Sequence, residues 1–408
     1  MLKKLINLAW RNIWRNKRRA IITSLSIIAS LFFVLIMRQM QLWSYDYNIK
    51  NSVSNYIGYI QITDSTYIDE KIIDNSLDAS AIQTAAITSM EHVSGVYPRM
   101  QSGALVSTGI KSKFAGIMGI RPETDNEVLK LQRKLTEGEL LSDKDSDILI
   151  TEKMAKFYQV HVGDTLVLIG QGFQGYTAAG LYNIKGIIRF SVGDLSNMLF
   201  MTLPESQHFL SAPNRFTHYL INIDESEYLE EVANQVHQLI QNKPLKARTW
   251  EEVLPGLKQG MELDSNSGLL IVGILYMIVA FGMFGTIIML YNERQFEFGI
   301  LNAIGMHKNT LIFVTQIELI ILTLIGILIG NVVSLPLLIH FNENPIELKG
   351  NTAQGMIEQG FDPLLGTGLY PQVFVNNSLI ILVISLLASF YIVSKLSKLN
   401  PLDSMRQN

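Results

Sequence analysis

The chain carries the uncharged apolar sequence GLLIVGILYMIVAFGMFGTIIMLY from Gly268 to Tyr291. A helix needs about twenty apolar residues to cross the hydrocarbon core of a bilayer, so this stretch predicts a transmembrane span. Three further apolar stretches lie at 20–37, 310–339 and 374–393. The sequence therefore predicts a membrane protein with four transmembrane helices.

The composition supports this prediction and excludes several classes of site. Hydrophobic residues make up 48% of the chain and charged residues only 17%, whereas soluble domains carry about 25% charged residues. The chain has no cysteine, which excludes disulfides, thiolate zinc sites and cysteine nucleophiles. Its net charge of -3 gives no indication of a nucleic-acid partner.

The first apolar stretch follows basic residues, as the core of a signal peptide does. It is longer than a typical signal core, however, and no small-x-small cleavage pattern follows Met37. We therefore interpret it as an uncleaved membrane anchor.

Lysine and arginine residues predict the orientation of the spans. They cluster before the first span, between the second and third, and after the fourth, whereas the loop between the third and fourth contains only Lys349. Because basic residues stay on the cytoplasmic side, both termini and the loop at 292–309 are expected in the cytoplasm. The segment 41–267 is expected on the opposite side.

This outer segment alternates strand-like and helix-like patterns. A strand–helix–strand pattern occupies 57–106, and a second occupies 218–250. Several short strands separated by glycine turns lie between them. We expect a mixed α+β domain with an α/β part built from both ends and a β-rich part inserted between them.

The N-terminal segment predicts an amphipathic helix. Apolar residues including Trp10 and Trp14 recur at helical spacing, with basic residues such as Arg11 and Arg15 between them. This pattern favours a helix lying in the cytoplasmic interface and contacting anionic lipid. The alternative is a basic flank that only sets topology, which would not require the tryptophans.

Motifs of enzyme chemistry are weak or missing from the sequence. Residues Gly170 to Gly175 match GxGxxG, but a turn and strand pattern follows instead of the helix that a dinucleotide site needs. We interpret this segment as a hairpin loop. The sequence contains no GxxxxGK[ST] phosphate-binding loop, no HExxH cluster and no GxSxG elbow.

The third span contains two polar residues, Gln316 and Glu318. A carboxylate in a membrane is costly and usually faces protein or water. It can serve a proton or substrate path, or it can make a packing contact with a neighbouring helix. Gly326 and Gly330 form a GxxxG pattern that predicts close helix packing.

The loop between the second and third spans has the sequence NERQFEFGILNAIGMHK at 292–308. Its charges fall on one helical face, and Phe296, Ile300 and Ile304 fall on another. A short amphipathic helix of this kind suits a groove on a partner protein. An interfacial linker would have the same pattern.

At Glu293 to Met306 the pattern ERxxEFGxLxAIGM resembles the coupling-loop signature of the FtsX-like permease family of ABC transporters. That family includes MacB-type efflux pumps and lipoprotein-releasing permeases. The segment AWRNIWRNKRR at 9–19, the pair Gln316 and Glu318, and NPLDSMR at 400–406 are also similar to the family's pattern.

The resemblance implies a non-catalytic permease that works by mechanotransmission. Such permeases pair as dimers with two ATPase subunits, which bind ATP and Mg, so no cofactor is expected on this chain. The resemblance assigns the ATPase contact to Glu293, Arg294, Glu297, Phe298, Gly299, Ala303 and Gly305. The coupling helix and the long spans would relay ATP-driven motion to the periplasmic domain.

In layout the chain looks most similar to the lipoprotein-releasing permeases. Lipoprotein release is therefore the expected function; efflux with a periplasmic adaptor and signalling to a periplasmic hydrolase are alternatives. Expected partners are a cytoplasmic ATPase dimer, a second permease copy or paralogue, membrane lipid, and a lipoprotein with a periplasmic chaperone or adaptor. The expected location is the bacterial inner membrane.

The predicted segments combine the apolar stretches with this resemblance. In chain order they are an amphipathic cytoplasmic helix (1–19), transmembrane helix 1 (20–40), the periplasmic α+β domain (41–267), transmembrane helix 2 (268–291), the coupling helix (292–309), transmembrane helix 3 (310–340), a periplasmic loop (341–373), transmembrane helix 4 (374–394) and the cytoplasmic tail (395–408).

Overall fold

The computed structural model describes residues 2–15, 17–54, 56–189, 196–358 and 363–397. The chain divides into two compact units, each described by itself. The helical unit comprises residues 1–45, 260–347 and 364–408, and the α/β unit comprises residues 46–259 and 348–363. The closing motif at 400–406 and the end of the predicted tail lie outside the described residues.

The helices are α1 Leu2–Arg15, α2 Lys17–Asn48, α3 Thr84–Thr88, α4 Pro122–Val128, α5 Leu131–Lys134, α6 Glu152–Tyr158, α7 Leu203–Phe209, α8 Leu229–Ile240, α9 Trp250–Val253, α10 Pro255–Ala303, α11 Lys308–Glu343, α12 Asn351–Glu358 and α13 Pro371–Ser397. The strands are β1 Ile60–Asp64, β2 Leu77–Asp78, β3 Val93–Ser107, β4 Ser112–Ile120, β5 Leu135–Gly138, β6 Ile148–Thr151, β7 Thr165–Gln171, β8 Thr177–Ile188, β9 Met198–Thr202, β10 Arg215–Phe216, β11 His218–Ile223, β12 Leu245–Thr249, β13 Ile346–Glu347 and β14 Leu364–Leu365.

Four helices of the described chain, α2, α10, α11 and α13, are long and apolar enough to cross a membrane. The four predicted spans are therefore confirmed as helices. Two of them extend well past their apolar stretches: α2 continues to Asn48, and α10 already begins at Pro255. Hydropathy marks only the part of a helix that suits hydrocarbon, so it cannot show where the helix itself ends.

The predicted coupling helix at 292–309 is not a separate element, which corrects the prediction. Helix α10 runs without a break from its apolar stretch to Ala303, and α11 begins at Lys308. The sequence from Asn292 to Ala303 contains no proline and only one glycine. Nothing in it stops helix propagation, so the amphipathic segment is the last part of α10.

Close packing within the helical unit depends on two glycines of α11. A Cβ atom added at Gly326 would lie 2.9 Å from the Cβ of Ile27, and one added at Gly330 would lie 3.1 Å from the Cδ2 of Leu31. Both contacts are with α2, so the GxxxG pattern marks a close helix crossing, as predicted. Gly285 has no atom within 4 Å of such a Cβ and takes no part in the crossing.

The α/β unit contains two strand–helix–strand pieces that share one sheet. The order β12–β1–β11–β3 has antiparallel neighbours throughout. Helix α3 connects β1 to β3, and α8 connects β11 to β12. Each helix thus joins two parallel strands that have an antiparallel strand between them. This is the split βαβ arrangement of ferredoxin-like folds, and it confirms the part built from both ends.

The β-rich part is inserted between β3 and β11. Strand β3 belongs to both parts, because its first half pairs with β11 and its second half pairs with β4 and β7. The pairings β3–β4–β9–β6–β8–β7 return to β3 and close on themselves. The predicted GxGxxG loop at 170–175 covers the end of β7 and the turn to β8.

Candidate functional site

A tight turn joins α10 to α11 and depends on one glycine. Gly305 has a φ of 103°, in the left-handed region that favours glycine. Its N–H donates to the carbonyl of Asn302 at 3.1 Å, and the N–H of Met306 donates to the carbonyl of Leu301 at 2.9 Å. These two bonds define a Schellman motif. Met306 and Leu301 also pack against the same apolar cluster, a contact that often accompanies this motif.

The turn presents a small exposed tip. Ile304 is 79% exposed, and Ala303, Gly305 and His307 are exposed beside it. An apolar side chain held this far out of its own fold suits insertion into a pocket on another protein. We call residues 303–307 the hairpin tip.

The structure separates the predicted ATPase-contact residues into two groups. Glu293, Ala303 and Gly305 are exposed, and Glu297 is partly exposed. Arg294, Phe298 and Gly299 are buried inside the helical unit.

The buried group holds the end of α10 in place. Phe298 belongs to an apolar cluster with Leu290, Leu319 and Ile392, and the guanidinium of Arg294 lies 5.0 Å from the centre of its ring. These residues brace the helix from within the fold, whereas the exposed group faces outward.

Four alternating charges connect three helices next to the hairpin tip. Arg15 of α1 donates to both carboxylate oxygens of Glu297 on α10, at 2.7 and 2.8 Å. Arg294 donates through Nε to Glu297 at 3.2 Å and through Nη1 to Glu318 of α11 at 3.0 Å. We call these four residues the ion chain. Its formal charges sum to zero.

The inner end of the ion chain is withdrawn from solvent. The side chains of Arg294 and Glu318 are 7% and 0% exposed, whereas Arg15 and Glu297 are about half exposed. A buried carboxylate is tolerated only when it is paired and hydrogen-bonded. Arg294 is a cationic hydrogen-bond partner of Glu318, and the same guanidinium also donates to Glu297.

The other polar residue predicted in the third span makes a helix contact. Gln316 donates to the hydroxyl of Ser389 on α13 at 3.5 Å. Thr323 and Ser385 bond at 2.7 Å further along the same two helices. These contacts match the packing interpretation of the polar residues.

The first helix packs one side against α11 and exposes another. Ala9 and Ile13 are buried, and α1 contacts α11. Trp10 and Trp14 are 45% and 55% exposed, and their rings meet edge to face with centres 6.0 Å apart. Arg11 is also exposed.

Sequence reasoning identified each member of the ion chain but missed the pairings. Arg15 and Glu297 are 282 positions apart, and no local pattern connects them. The available signals were the three-residue spacing of Arg294 and Glu297 on one helix and the presence of a carboxylate in a span, which calls for a basic partner. Among the described residues, no group of three or more histidine, aspartate or glutamate side chains could hold a metal ion.

Two family domains match the chain. Residues 20–239 match the MacB-like periplasmic core domain, and residues 269–401 match the FtsX-like permease C-terminal domain. The two matches together include most of each spanning helix and most of the α/β unit.

The chain is also similar to curated proteins. It is 21% identical over 326 residues to the "Lipoprotein-releasing system transmembrane protein LolC" of Xylella fastidiosa (strain 9a5c), and this match covers 77% of this chain and 78% of that protein. It is 22% identical over 344 residues to the "Uncharacterized ABC transporter permease YknZ" of Bacillus subtilis (strain 168), and this match covers 80% of this chain and 83% of that protein.

Two solved structures overlap with part of the chain. One is the periplasmic region of MacB from Actinobacillus actinomycetemcomitans, with a TM-score of 0.36 and 18% identity, covering 52% of this chain and 98% of that one. The other is the extracellular domain of the transporter YknZ from Gram-positive bacteria, with a TM-score of 0.32 and 12% identity, covering 43% of this chain and 90% of that one.

Proposed function

Because the chain belongs to the FtsX- and MacB-like family of ABC transporter permeases, we propose that it transmits ATP-driven movement from a separate cytoplasmic ATPase dimer. In this proposal the chain lies in the bacterial inner membrane with both termini in the cytoplasm. It hydrolyses no ATP itself; the hairpin tip receives the movement, and the spans relay it to the domain at 41–267.

The observation that carries the proposal is the combination of an exposed tip with a braced base. Ile304 projects from the end of α10, while Arg294 and Phe298 fix the preceding helical turns inside the fold. A force applied to the tip is therefore transmitted along a rigid helix and does not deform a flexible loop. The bonds from Arg294 to Glu318 and from Glu297 to Arg15 spread that movement to α11 and α1.

The test of ATPase coupling substitutes the tip without disturbing the brace. Ile304→Asp places a charge where an apolar contact is proposed, and it should abolish the stimulation of ATP hydrolysis in the reconstituted complex. Leu328→Ala changes a side chain exposed on α11, away from the tip, and should leave the stimulation intact. Normal stimulation in the Ile304→Asp complex would contradict docking at the tip.

For the substrate we propose lipoprotein release from the inner membrane. The support is the similarity along most of the chain to a protein named as part of a lipoprotein-releasing system, together with the four-span layout. A second permease copy or paralogue and a periplasmic chaperone or adaptor belong to this proposal. Efflux through an adaptor and signalling to a hydrolase are the competing outcomes.

The substrate test uses the complex in proteoliposomes that hold a labelled lipoprotein. ATP should release the label to an acceptor, and the Ile304→Asp complex should retain it. Retention of the label by a complex that hydrolyses ATP at the stimulated rate would exclude lipoprotein release while leaving ATPase coupling in place.

A further inference from the structure

Helix α1 exposes an apolar ridge that its own fold leaves uncovered. Ile6, Trp10 and Trp14 recur at four-residue spacing, so they line one side of the helix. All three are more than 40% exposed. The adjacent side, with Ala9 and Ile13, is buried. The ridge therefore faces something other than this chain's helices.

A basic ridge runs directly beside the apolar one. Arg11 and Arg15 are also four residues apart and exposed, and Lys17 and Arg18 follow at the start of α2. The ammonium of Lys17 lies 5.4 Å from the centre of the Trp14 ring. The exposed side of α1 and the start of α2 together combine two indole rings with four cationic groups.

An anionic lipid surface fits this combination better than a protein groove does. Tryptophan favours the level of lipid headgroups, and basic residues beside it attract anionic headgroups. The helix is followed after one residue by a membrane-spanning helix, which keeps it within reach of the bilayer surface. Charge and position therefore point to the same occupant.

One residue belongs to both the basic ridge and the ion chain. Arg15 donates to Glu297 through Nη2, yet its side chain is 52% exposed. A guanidinium carries five N–H donors in a planar fork, so Nη2 accounts for only part of its capacity. A phosphate at the ridge would reach the remaining face of the same group.

We propose that α1 binds anionic phospholipid and that Arg15 is shared between lipid phosphate and Glu297. Anionic lipid then competes with Glu297 for Arg15 and sets how firmly α1 is fastened to the end of α10. The consequence for coupling rests on the function proposed above. The lipid preference itself does not rest on that function, and it is tested without an ATPase.

The experiment uses the full chain in nanodiscs and its tryptophan fluorescence. One set contains brominated phosphatidylglycerol and unbrominated phosphatidylcholine. The other set contains unbrominated phosphatidylglycerol and brominated phosphatidylcholine at the same lipid ratio. The difference between the native chain and Trp10→Phe/Trp14→Phe isolates the signal of α1, because the other two of the four tryptophans remain in both. Brominated anionic lipid should quench this signal beyond its mole fraction.

Two variants identify the groups responsible. Arg11→Gln/Arg15→Gln should lose the preference for anionic lipid. Lys144→Gln/Lys349→Gln removes the same charge from two exposed sites elsewhere in the chain and should keep it. Equal quenching by both lipids in the native chain, or a preference that survives the arginine substitutions, would overturn lipid binding by α1. Absence of quenching by either lipid would show that protein covers the ridge.

A third variant tests the sharing of Arg15. Glu297→Gln removes the competing carboxylate charge and should increase the preference for anionic lipid. Gln295→Glu adds a carboxylate to the same helix without changing Arg15 or Glu297 and serves as a charge control. An unchanged or smaller preference in Glu297→Gln would mean that Arg15 is not shared, even if α1 binds lipid.

Discussion

Arg294 on α10 donates a hydrogen bond of 3.0 Å to the Oε2 of Glu318 on α11, and both side chains are withdrawn from solvent. Arg294→Met should destabilise the chain by about 3–5 kcal/mol, because it removes a cation that is hydrogen-bonded to a buried carboxylate. The unfolding midpoint of the purified protein in detergent measures the loss.

The double variant Arg294→Met/Glu318→Met is the matched control for that pair. It removes both charges and replaces them with side chains of similar length, so most of the lost stability should return. A double variant as unstable as the single one would show that the pair is not what holds α10 against α11.

Gly305 provides the second prediction. Gly305→Ala should cost roughly 1–2 kcal/mol, because the Cβ atom is strained at the observed positive φ. Gly273 lies within α10 with no atom within 4 Å of an added Cβ, so Gly273→Ala should be neutral or stabilising. Opposite shifts of the two unfolding midpoints are expected; a Gly305→Ala variant as stable as the native chain would argue against the Schellman turn.

The third prediction concerns the crossing of α2 and α11. Gly326→Leu should lower stability by about 1–3 kcal/mol, because its Cβ would lie 2.9 Å from that of Ile27. Gly285→Leu, on α10 with open space around it, should have little effect. Thermal denaturation of the two variants in the same detergent checks the difference, and equal midpoints would refute the close crossing.

The fourth prediction concerns the stability of the α/β unit in acid. His218 is fully buried on β11, and burial, followed by the nearby Arg99, Arg248 and Lys71, lowers its pKa to about 3. An unfolded histidine titrates near 6.5, so the unfolded state binds more protons between these values. Stability should therefore be fully present above pH 6.5 and fall as the pH drops, by about 2 kcal/mol at pH 5.

Hydrogen–deuterium exchange of β11 in the full chain measures this loss, once intrinsic exchange rates are corrected for pH. The native chain should lose protection between pH 7 and pH 5. His218→Gln should be less stable at pH 7 but should lose less on acidification. Identical pH dependence in both proteins would exclude His218 as the cause.

The four spans and most strands were predictable because hydropathy and period-two alternation are local patterns. The helix ends were not. Nothing in the apolar stretch at 268–291 indicates that α10 begins at Pro255. The strand order could not be predicted either, because β11 lies between β1 and β3 in the sheet although it is far from both in the sequence.

Glu297 shows how the structure changes the interpretation of a site residue. The resemblance implies that it contacts the ATPase, and Glu297→Lys is an obvious test of that role. In the structure Glu297 accepts bonds from both Arg15 and Arg294. Glu297→Lys would place three cations together and break the ion chain. A loss of coupling in that variant would therefore not separate docking from bracing.

The most direct test of the central claim is a photocrosslink from the hairpin tip. Benzoylphenylalanine replaces Ile304 in the full chain assembled with its ATPase, and Leu328, exposed on the apolar part of α11, carries the same probe as a control. Irradiation should join the chain to the ATPase from position 304 and not from position 328. An assembled, active complex that yields no ATPase adduct from position 304, or equal yields from both positions, would contradict the claim that the tip receives the movement.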